Sequence, residues 1–334
     1  MFGWQGKRVL ITGGAGFIGS CLCEKIASLG GRVVIFDNFS SGKYENIDDV
    51  LENYSDNVHV IEGDITRPSD VEKAISDLDA VFHFAANPEV RLELNDPKNC
   101  FKQNVYGTHV LLEALGHARD VEKVVFASTS TVYGDVDDFP TKESCGPLKP
   151  ISIYGASKLA SEALISSYAY LGNFAAITLR LANIVGPKSR HGVVPDLIRK
   201  LRKDKRELEI LGDGTQSKSY LYVDDCVDAA LTACEKNSLP VAVFNVGSED
   251  WVTVLRIAEI VTEEAGLNNV KFRLTGGVDG GRGWKGDVKK MLLDISKLKS
   301  MGWKPKHNSE QAIRFTARSI LEECRSAYDG DTSV

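Results

Sequence analysis

Short apolar runs alternate with longer amphipathic stretches through the first half of the chain. The runs are rich in β-branched and aromatic residues, as buried strands are: Lys7–Thr12, Arg32–Phe36, Val58–Ile61, Ala80–Ala85, Val121–Ala127 and Phe174–Leu181. The stretches between them have helical spacing: Gly16–Leu29, Ser69–Leu78, Asp96–Gly116 and Ser152–Leu171. Strands that alternate with helices need right-handed crossovers, which cover both faces of a parallel sheet. The pattern predicts an α/β fold with a doubly wound parallel sheet, the Rossmann architecture.

The alternation ends near Asn183. Three helical stretches follow, mixed with loops rich in Gly, Lys and Asp: Val194–Lys203, Asp224–Glu235 and Thr253–Ala265. The apolar run Val243–Gly247 has the composition of a strand that returns to the main sheet. We therefore expect a first domain over residues 1–182, rejoined by about residues 220–250. A smaller mixed α/β region over residues 183–330 is expected to form one wall of a cleft.

Composition excludes several classes of protein. The 334 residues are 43% apolar and 26% charged, and no apolar run reaches the roughly 20 residues of a membrane helix. The net charge of −6 argues against a nucleic-acid partner. The N-terminus lacks the pattern of a secretory signal, and the seven cysteines form no CxxC pair. We expect reduced thiols, no bound metal, no membrane partner and a cytoplasmic location.

Three glycines follow the first run and open the first helix. Gly13, Gly16 and Gly19 form a G-x-x-G-x-x-G pattern, which allows a tight turn, close approach of a pyrophosphate and close helix–strand packing. Asp37 ends the second run, where a carboxylate binds ribose hydroxyls and repels a 2′-phosphate. Together these residues predict a site for NAD rather than NADP. Asp64, at the end of the third run, leaves two interpretations open, an adenine contact or a solvated turn.

A tyrosine and a lysine stand four residues apart near the start of the predicted helix Ser152–Leu171. Tyr154 and Lys158 therefore lie on one face, one turn apart. Because a nearby cation lowers the ordinary tyrosine pKa of about 10, Tyr154 is a candidate acid/base for a substrate hydroxyl. The run Val121–Ala127 leads into the hydroxyls of residues 128–131, at the strand end where α/β sheets bind ligands. These hydroxyls are expected to bridge a substrate alcohol and Tyr154.

Taken together, these motifs resemble the extended short-chain dehydrogenase/reductases, and most closely the nucleotide-sugar 4-epimerases. The matching segments span nearly the whole chain: TGGAGFIG (12–19), DNFSSG (37–42), GDI (63–65), HFAAN (83–87), NVYGT (104–108), STSTVYGD (128–135), YGASK (154–158), LRLANIVGP (179–187), GDGTQSKSYLYVDD (212–225) and RGWKGDV (282–288). The resemblance implies an NAD-dependent enzyme that oxidises C4 of a UDP-hexose transiently and returns the hydride to the other face. It places the cofactor in the first domain and the nucleotide sugar mainly in the second.

The resemblance also implies roles for individual residues. It implies Tyr154 as catalytic acid/base, Lys158 as its partner, and Thr129 as the relay for the C4 hydroxyl proton. The implied cofactor pocket comprises Gly13, Gly16, Phe17, Ile18, Gly19, Asp37, Asn38, Ser40, Ser41, Gly42, Asp64, Ile65, Phe84, Ala85, Ala86, Asn104, Tyr154 and Lys158. The implied substrate contacts are Ser130, Asn183, Val193, Lys218, Tyr220, Arg282 and Asp287.

The chain departs from the family pattern in the expected substrate region. Lys218-Ser219 stands where Arg-Asp is frequent, and Trp284 stands where an Arg is frequent, with Arg282 two residues earlier. Related 4,6-dehydratases carry an Asp-Glu pair after the Thr of the hydroxyl strip, and related decarboxylases carry a Glu in the slot of Thr131. Because Ser130 and Thr131 are not useful general acids, both reactions are disfavoured. A non-catalytic binder of NAD or nucleotide sugars stays the alternative of a different class.

The sequence leaves the sugar open. UDP-glucose and UDP-galactose are the first expectation, with UDP-glucuronate and UDP-N-acetylhexosamines as alternatives. The resemblance further implies a homodimer through the helices Asp96–Gly116 and Ser152–Leu171, although packing inside the subunit would explain their apolar residues equally well.

Overall fold

The computed structural model describes residues 2–88, 96–117, 121–172 and 174–329. In chain order the strands are β1 (Arg8–Thr12), β2 (Arg32–Asp37), β3 (Val58–Glu62), β4 (Ala80–His83), β5 (Lys123–Thr129), β6 (Ala175–Leu181), β7 (Asn183–Val185), β8 (Glu207–Ile210), β9 (Ser217–Lys218), β10 (Tyr220–Tyr222), β11 (Val241–Val246), β12 (Val252–Thr253), β13 (Lys271–Leu274) and β14 (Lys290–Met291). The helices are α1 (Phe17–Ser28), α2 (Asp48–Asn53), α3 (Pro68–Glu72), α4 (Pro97–Cys100), α5 (Gly107–His117), α6 (Ile153–Leu171), α7 (Val193–Lys203), α8 (Val223–Lys236), α9 (Val254–Glu264), α10 (Ser296–Ser300) and α11 (Ser309–Asp329).

Seven parallel strands form the main sheet, in the order β11-β6-β5-β4-β1-β2-β3. The chain builds outward from β1 to β3 and then reverses, since β4 returns to the other side of β1. Ligands bind at such a reversal, at the carboxyl ends of the strands. The predicted doubly wound fold is confirmed, and its reversal lies between β1 and β4.

Both faces of the sheet are buried under helices. Along β1 the side chains alternate: Val9 and Ile11 join one core cluster, while Leu10 joins the other. The first cluster contains residues of α1 and α8, and the second contains residues of α3, α5 and α6. A strand buried on both faces needs continuous apolar sequence, which explains why the short apolar runs identified the strands.

A third core lies in the C-terminal part of the chain. It joins α7, α9 and α11 with β8 and β10, through residues that include Leu197, Ile257 and Ile313. Three small sheets accompany it, namely β10-β7, β12-β9-β14 and β13-β8. The mixed α/β character expected of the smaller region is confirmed. Within the described residues, no helix is both long and apolar enough to cross a membrane.

Two predicted helices differ from the observed ones. The stretch Ser69–Leu78 is helical only over α3, and the stretch Asp96–Gly116 is divided into α4, a π-helical turn and α5. The π-helical turn (Phe101–Tyr106) contains Asn104. Wide turns of this kind are frequent at functional sites.

Candidate active site

The glycine turn lies at the reversal point of the sheet. Gly13 has φ +70°, and a methyl group there would lie 2.7 Å from the Ala85 nitrogen of the loop after β4. A methyl group on Gly19 would lie 2.2 Å from the carbonyl oxygen of Gly13. Gly16 is the N-cap of α1 and has no side chain to bond the first-turn N–H groups. The turn therefore has the close backbone packing and open helix end that suit a pyrophosphate.

Asp37 is fixed by the turn that it follows. Its carboxylate is 7% exposed and accepts the backbone N–H of Ala15 at 3.0 Å and of Phe39 at 2.9 Å. Burial raises the pKa of Asp37, while these N–H groups oppose that rise. A methyl group on Gly42 would lie 2.8 Å from Oδ1, so Gly42 lets the loop close over the carboxylate. The arrangement suits a ribose diol.

Two other acidic or amide side chains of the expected pocket organise turns. Asn38 Oδ1 accepts both the N–H and the hydroxyl of Ser40, at 3.0 and 2.7 Å. Asp64 Oδ1 accepts the N–H and hydroxyl of Thr66, at 2.9 and 2.8 Å. These bonds favour the interpretation of Asp64 as a turn residue, because they occupy its Oδ1 atom.

A buried histidine joins the strand before the glycine turn to the start of α5. His83 lies 2.8 Å from Thr12 Oγ1 through Nδ1 and 2.9 Å from Thr108 Oγ1 through Nε2. Because the Thr108 hydroxyl donates to the Asn104 carbonyl oxygen at 2.5 Å, it must accept from His83, which assigns the proton to Nε2. Thr12 then donates to Nδ1 and accepts the Ala85 N–H at 3.2 Å. Burial lowers the pKa of His83 to about 3.

We expect a His83→Gln variant to lose less stability in acid than the wild type. Because the pKa of His83 is depressed in the folded protein, the unfolded chain binds the proton more readily. The contribution of His83 to the free energy of unfolding is therefore complete above pH 6.5 and is lost as the pH falls toward 3. Between pH 6.5 and 5 the wild type should lose about 2 kcal/mol of this free energy. Urea unfolding at several pH values measures it, and equal acid losses in both proteins would contradict the assignment.

Asn104 connects the loop after β4 to α6. It is 2% exposed; its Oδ1 accepts the Asn87 N–H at 2.7 Å, and its Nδ2 donates to Ser157 Oγ at 2.9 Å. Its carbonyl oxygen accepts the Ser161 hydroxyl at 2.8 Å. These bonds hold the expected cofactor loop, Phe84, Ala85 and Ala86, against the helix that carries Tyr154. A role of Asn104 in a proton relay stays a prediction.

Tyr154 and Lys158 lie on α6 as the sequence predicted, four residues apart. Ser152 caps the helix by accepting the Gly155 N–H at 3.0 Å. Lys158 is 3% exposed, and its Nζ lies 4.6 Å from the centroid of the Phe126 ring. Burial lowers the pKa of Lys158 to about 7 and raises that of Tyr154. Burial therefore acts against the expected fall in the phenol pKa, and the lowering of that pKa by the Lys158 ammonium stays a prediction.

The hydroxyl strip packs directly on the start of α6. A methyl group on Gly155 would lie 2.9 Å from the Thr131 carbonyl oxygen. Thr129, 8% exposed at the end of β5, accepts the Thr131 N–H at 3.2 Å. Ser128 instead donates its hydroxyl to Glu162. The strip therefore meets the first turn of α6 at Thr131, and the Thr129 hydroxyl is bonded to that residue.

The expected substrate residues form a charged cluster on the C-terminal side. Lys218 Nζ lies 2.5 Å from Asp287 Oδ1 and 5.6 Å from the centroid of the Trp284 ring. Arg282 donates two 2.9 Å bonds to the Asp135 carboxylate and one of 2.6 Å to the Asp287 carbonyl. Asp135 follows the hydroxyl strip, so this pair connects the two parts of the chain. Sequence reasoning assigned no role to Asp135, because its partner is 147 positions away.

Three other expected substrate residues lie in different surroundings. Asn183 Nδ2 donates to the Ser219 carbonyl at 3.2 Å, and Val193 is the first residue of α7. Tyr220 is 5% exposed within the third core. No group of three or more potential metal ligands occurs in the described ranges.

The comparisons with known proteins agree with this geometry. Residues 9–247 match the family described as NAD dependent epimerase/dehydratase. The chain belongs to that family. The resemblance found in the sequence is therefore confirmed at the family level, and the protein is an NAD-dependent enzyme. The glycine turn and Asp37 fit that cofactor.

Members of the epimerase/dehydratase family with different substrates are similar to the chain. A solved UDP-galactose 4-epimerase is 43% identical with a TM-score of 0.83, and the match covers 95% of this chain and 99% of that one. A mutant of the UDP-glucuronic acid 4-epimerase from Bacillus cereus, solved with a fluorinated UDP-glucuronic acid and NAD, is 29% identical with a TM-score of 0.85 and the same coverage. A human dTDP-D-glucose 4,6-dehydratase is 32% identical over 93% of this chain and 89% of that protein.

Proposed function

We propose that this enzyme is a UDP-sugar 4-epimerase that interconverts UDP-glucose and UDP-galactose. The observation that supports this most is the packing of Gly155 on the Thr131 carbonyl. It sets Tyr154 and Lys158 beside a strip that offers Thr129 and Ser130 but no carboxylate at positions 129–131. Epimerisation needs a hydroxyl acid/base and a hydroxyl relay, and dehydration or decarboxylation needs a further acid. The strip therefore favours epimerisation over the reaction of the human dehydratase.

In the proposed epimerisation, Tyr154, Thr129 and Lys158 each have a separate role. NAD, when bound, supplies the acceptor for the C4 hydride and returns it. Tyr154, as phenolate, takes the C4 hydroxyl proton, directly or through Thr129, as the C4–H bond breaks and the ketone forms. After the sugar turns over, Tyr154 gives the proton back to the C4 oxygen as the C–H bond re-forms. Lys158, held as ammonium, lowers the cost of the phenolate and binds the nicotinamide ribose.

The nucleotide part of the substrate is assigned to the charged cluster. Lys218 and Arg282 offer cationic donors for a diphosphate, and Asp287 and Asp135 fix their positions. We assign Asn183 and Ser130 to the diphosphate and sugar, and Val193 and Tyr220 to the nucleoside side. Binding of this unreacting group keeps the ketone in the site while the sugar rotates.

A panel of nucleotide sugars tests the proposal. Purified protein is incubated with UDP-galactose, UDP-glucuronate or UDP-N-acetylglucosamine, with and without added NAD, and products are separated by chromatography. We expect UDP-galactose to be converted to UDP-glucose faster than the other two react. If UDP-glucuronate, which the Bacillus cereus 4-epimerase binds, were converted fastest, the proposed 4-epimerisation would stand but the proposed sugar would be wrong. Binding without any conversion would favour the non-catalytic alternative.

We further propose a homodimer that forms through α5, α6 and the π-helical turn. Large apolar side chains are exposed there: Phe101 at 60%, Tyr106 at 41%, Tyr170 at 84% and Leu171 at 89%. Sedimentation should give twice the subunit mass of 36.5 kDa, and Phe101→Glu should shift the protein toward monomer. A wild-type monomer at micromolar concentration would contradict this.

Cytoplasmic location stays a prediction of the sequence.

A further inference from the structure

A buried ion pair on the catalytic helix takes no part in the proposed reaction. Glu162 of α6 is 7% exposed and Arg180 of β6 is 5% exposed. Arg180 Nη2 lies 2.8 Å from Glu162 Oε2, and its Nε lies 3.1 and 3.3 Å from Oε1 and Oε2. A buried pair is weak evidence for a contribution to stability, because desolvation offsets the attraction. Its place in the fold therefore calls for another explanation.

The ion pair contacts both elements that carry the proposed acid/base machinery. Glu162 is four residues after Lys158, on the same face of α6. It also accepts the hydroxyl of Ser128, the residue before Thr129 on β5. Arg180 is the register partner of Ser128 in the sheet. One carboxylate thus joins the end of the hydroxyl strand to the helix of Tyr154 and Lys158.

Among the residues that the structure describes, Glu162 is the carboxylate whose charge acts on Lys158. From its own helix Lys158 faces Tyr154 and Glu162. Cys100 of α4, His83 of β4 and the Phe126 ring of β5 face it from the other elements. His83 is neutral near pH 7, and burial lowers the pKa of Lys158, which Cys100 and Glu162 oppose.

The groups bonded to Glu162 reduce the effect of its negative charge on Lys158. Glu162 faces the Arg180 guanidinium and the Ser128 hydroxyl. Arg180 lies 4.8 Å from the centroid of the Tyr133 ring and donates to the Glu143 carbonyl oxygen at 3.3 Å. Because the guanidinium cancels much of the carboxylate charge, removal of either partner alone changes the net charge beside Lys158, in opposite directions.

We propose, on the basis of the function proposed above, that Glu162 is a positioning residue that supplies negative charge opposite Lys158 and, through Ser128, fixes Thr129 beside Tyr154. The Arg180 guanidinium offsets part of that negative charge and so determines how strongly it acts on Lys158. Loss of Glu162 leaves an excess positive charge that disfavours the Lys158 ammonium. Loss of Arg180 leaves an excess negative charge that favours it. If the pair were only structural, the two substitutions would not shift the pKa of Lys158 in opposite directions.

Titration of Lys158 tests the charge role without any substrate. Protein with ¹³C-labelled lysine is titrated by NMR in the presence of NAD, and Lys158→Met assigns the signal. Glu162→Gln is expected to lower the pKa of Lys158 by about one unit, and Arg180→Gln to raise it by a similar amount. The double variant, whose net charge equals that of the wild type, should titrate near the wild-type value. If Glu162→Gln does not fold, the difference between Arg180→Gln and the double variant still measures the charge of Glu162.

Activity tests the second half of the proposal. Ser128→Ala breaks the link to Thr129 without a change of charge, so we expect kcat to fall about tenfold with KM and the pKa of Lys158 unchanged. Shifts of the same sign in both single variants, or none, would overturn the charge role, and an unchanged kcat in Ser128→Ala would overturn the positioning role. If the wild type converts no UDP-sugar, the proposed function fails, but the titration still decides the charge role.

Discussion

Replacement of Tyr154 by phenylalanine is expected to lower the rate of epimerisation by at least about 10³-fold, or about 4 kcal/mol in activation free energy. The ring stays, so packing on α6 is kept, but no group is left to accept the C4 hydroxyl proton. Binding of NAD should survive, because the glycine turn and Asp37 are untouched. The rate of UDP-galactose conversion and the cofactor content of the purified variant measure the two effects separately.

Tyr168→Phe provides the matched control for this variant. Tyr168 lies on the same helix, but its hydroxyl bonds to Glu113 of α5, away from the hydroxyl strip. The same chemical change there should leave the rate within a factor of about two. A Tyr154→Phe enzyme that kept more than a tenth of the wild-type rate would show that another group moves the proton.

The first half of the fold could be predicted because its signals are local. Strands buried on both faces are continuous apolar runs, so β1 to β6 were visible from sequence. The helix α11 was missed because its buried stripe includes the small residues Ala312 and Ala317 among many charged ones. The π-helical turn was missed for another reason. Its wide geometry accompanies a hydrogen bond that the Ser161 hydroxyl, 57 positions away, donates to the Asn104 carbonyl oxygen, and no local pattern encodes that bond.

The candidate site divides in the same way. Tyr154 and Lys158 share a helical face by spacing alone, and the three glycines follow a strand and open a helix. In contrast, the pairs Arg282–Asp135 and Arg180–Glu162 join separate elements. Their formation depends on tertiary packing. The sequence therefore predicts candidate acid/base and cofactor residues, whereas the residues that fix these candidates in place are visible only in the structure.

Gly19→Ala is expected to weaken NAD binding by at least about 100-fold and to abolish activity with it. Its methyl group would lie 2.2 Å from the Gly13 carbonyl oxygen. Because that atom belongs to the backbone, no side-chain rotation relieves the clash, and α1 must move away from the turn that would hold the pyrophosphate. The rise in melting temperature on addition of NAD measures the loss, since a ligand stabilises only in proportion to its binding to the folded state.

Gly116→Ala separates this effect from a general cost of adding a methyl group to a helical glycine. Gly116 lies on α5, and a methyl group there meets nothing within 4 Å. The substitution should raise stability by about 0.5–1 kcal/mol, because alanine favours the helix more than glycine does, and NAD should stabilise this variant as it does the wild type. If NAD stabilised Gly19→Ala equally well, the phosphates could not depend on the contact of Gly19 with Gly13, and the glycine turn would lose its assigned role.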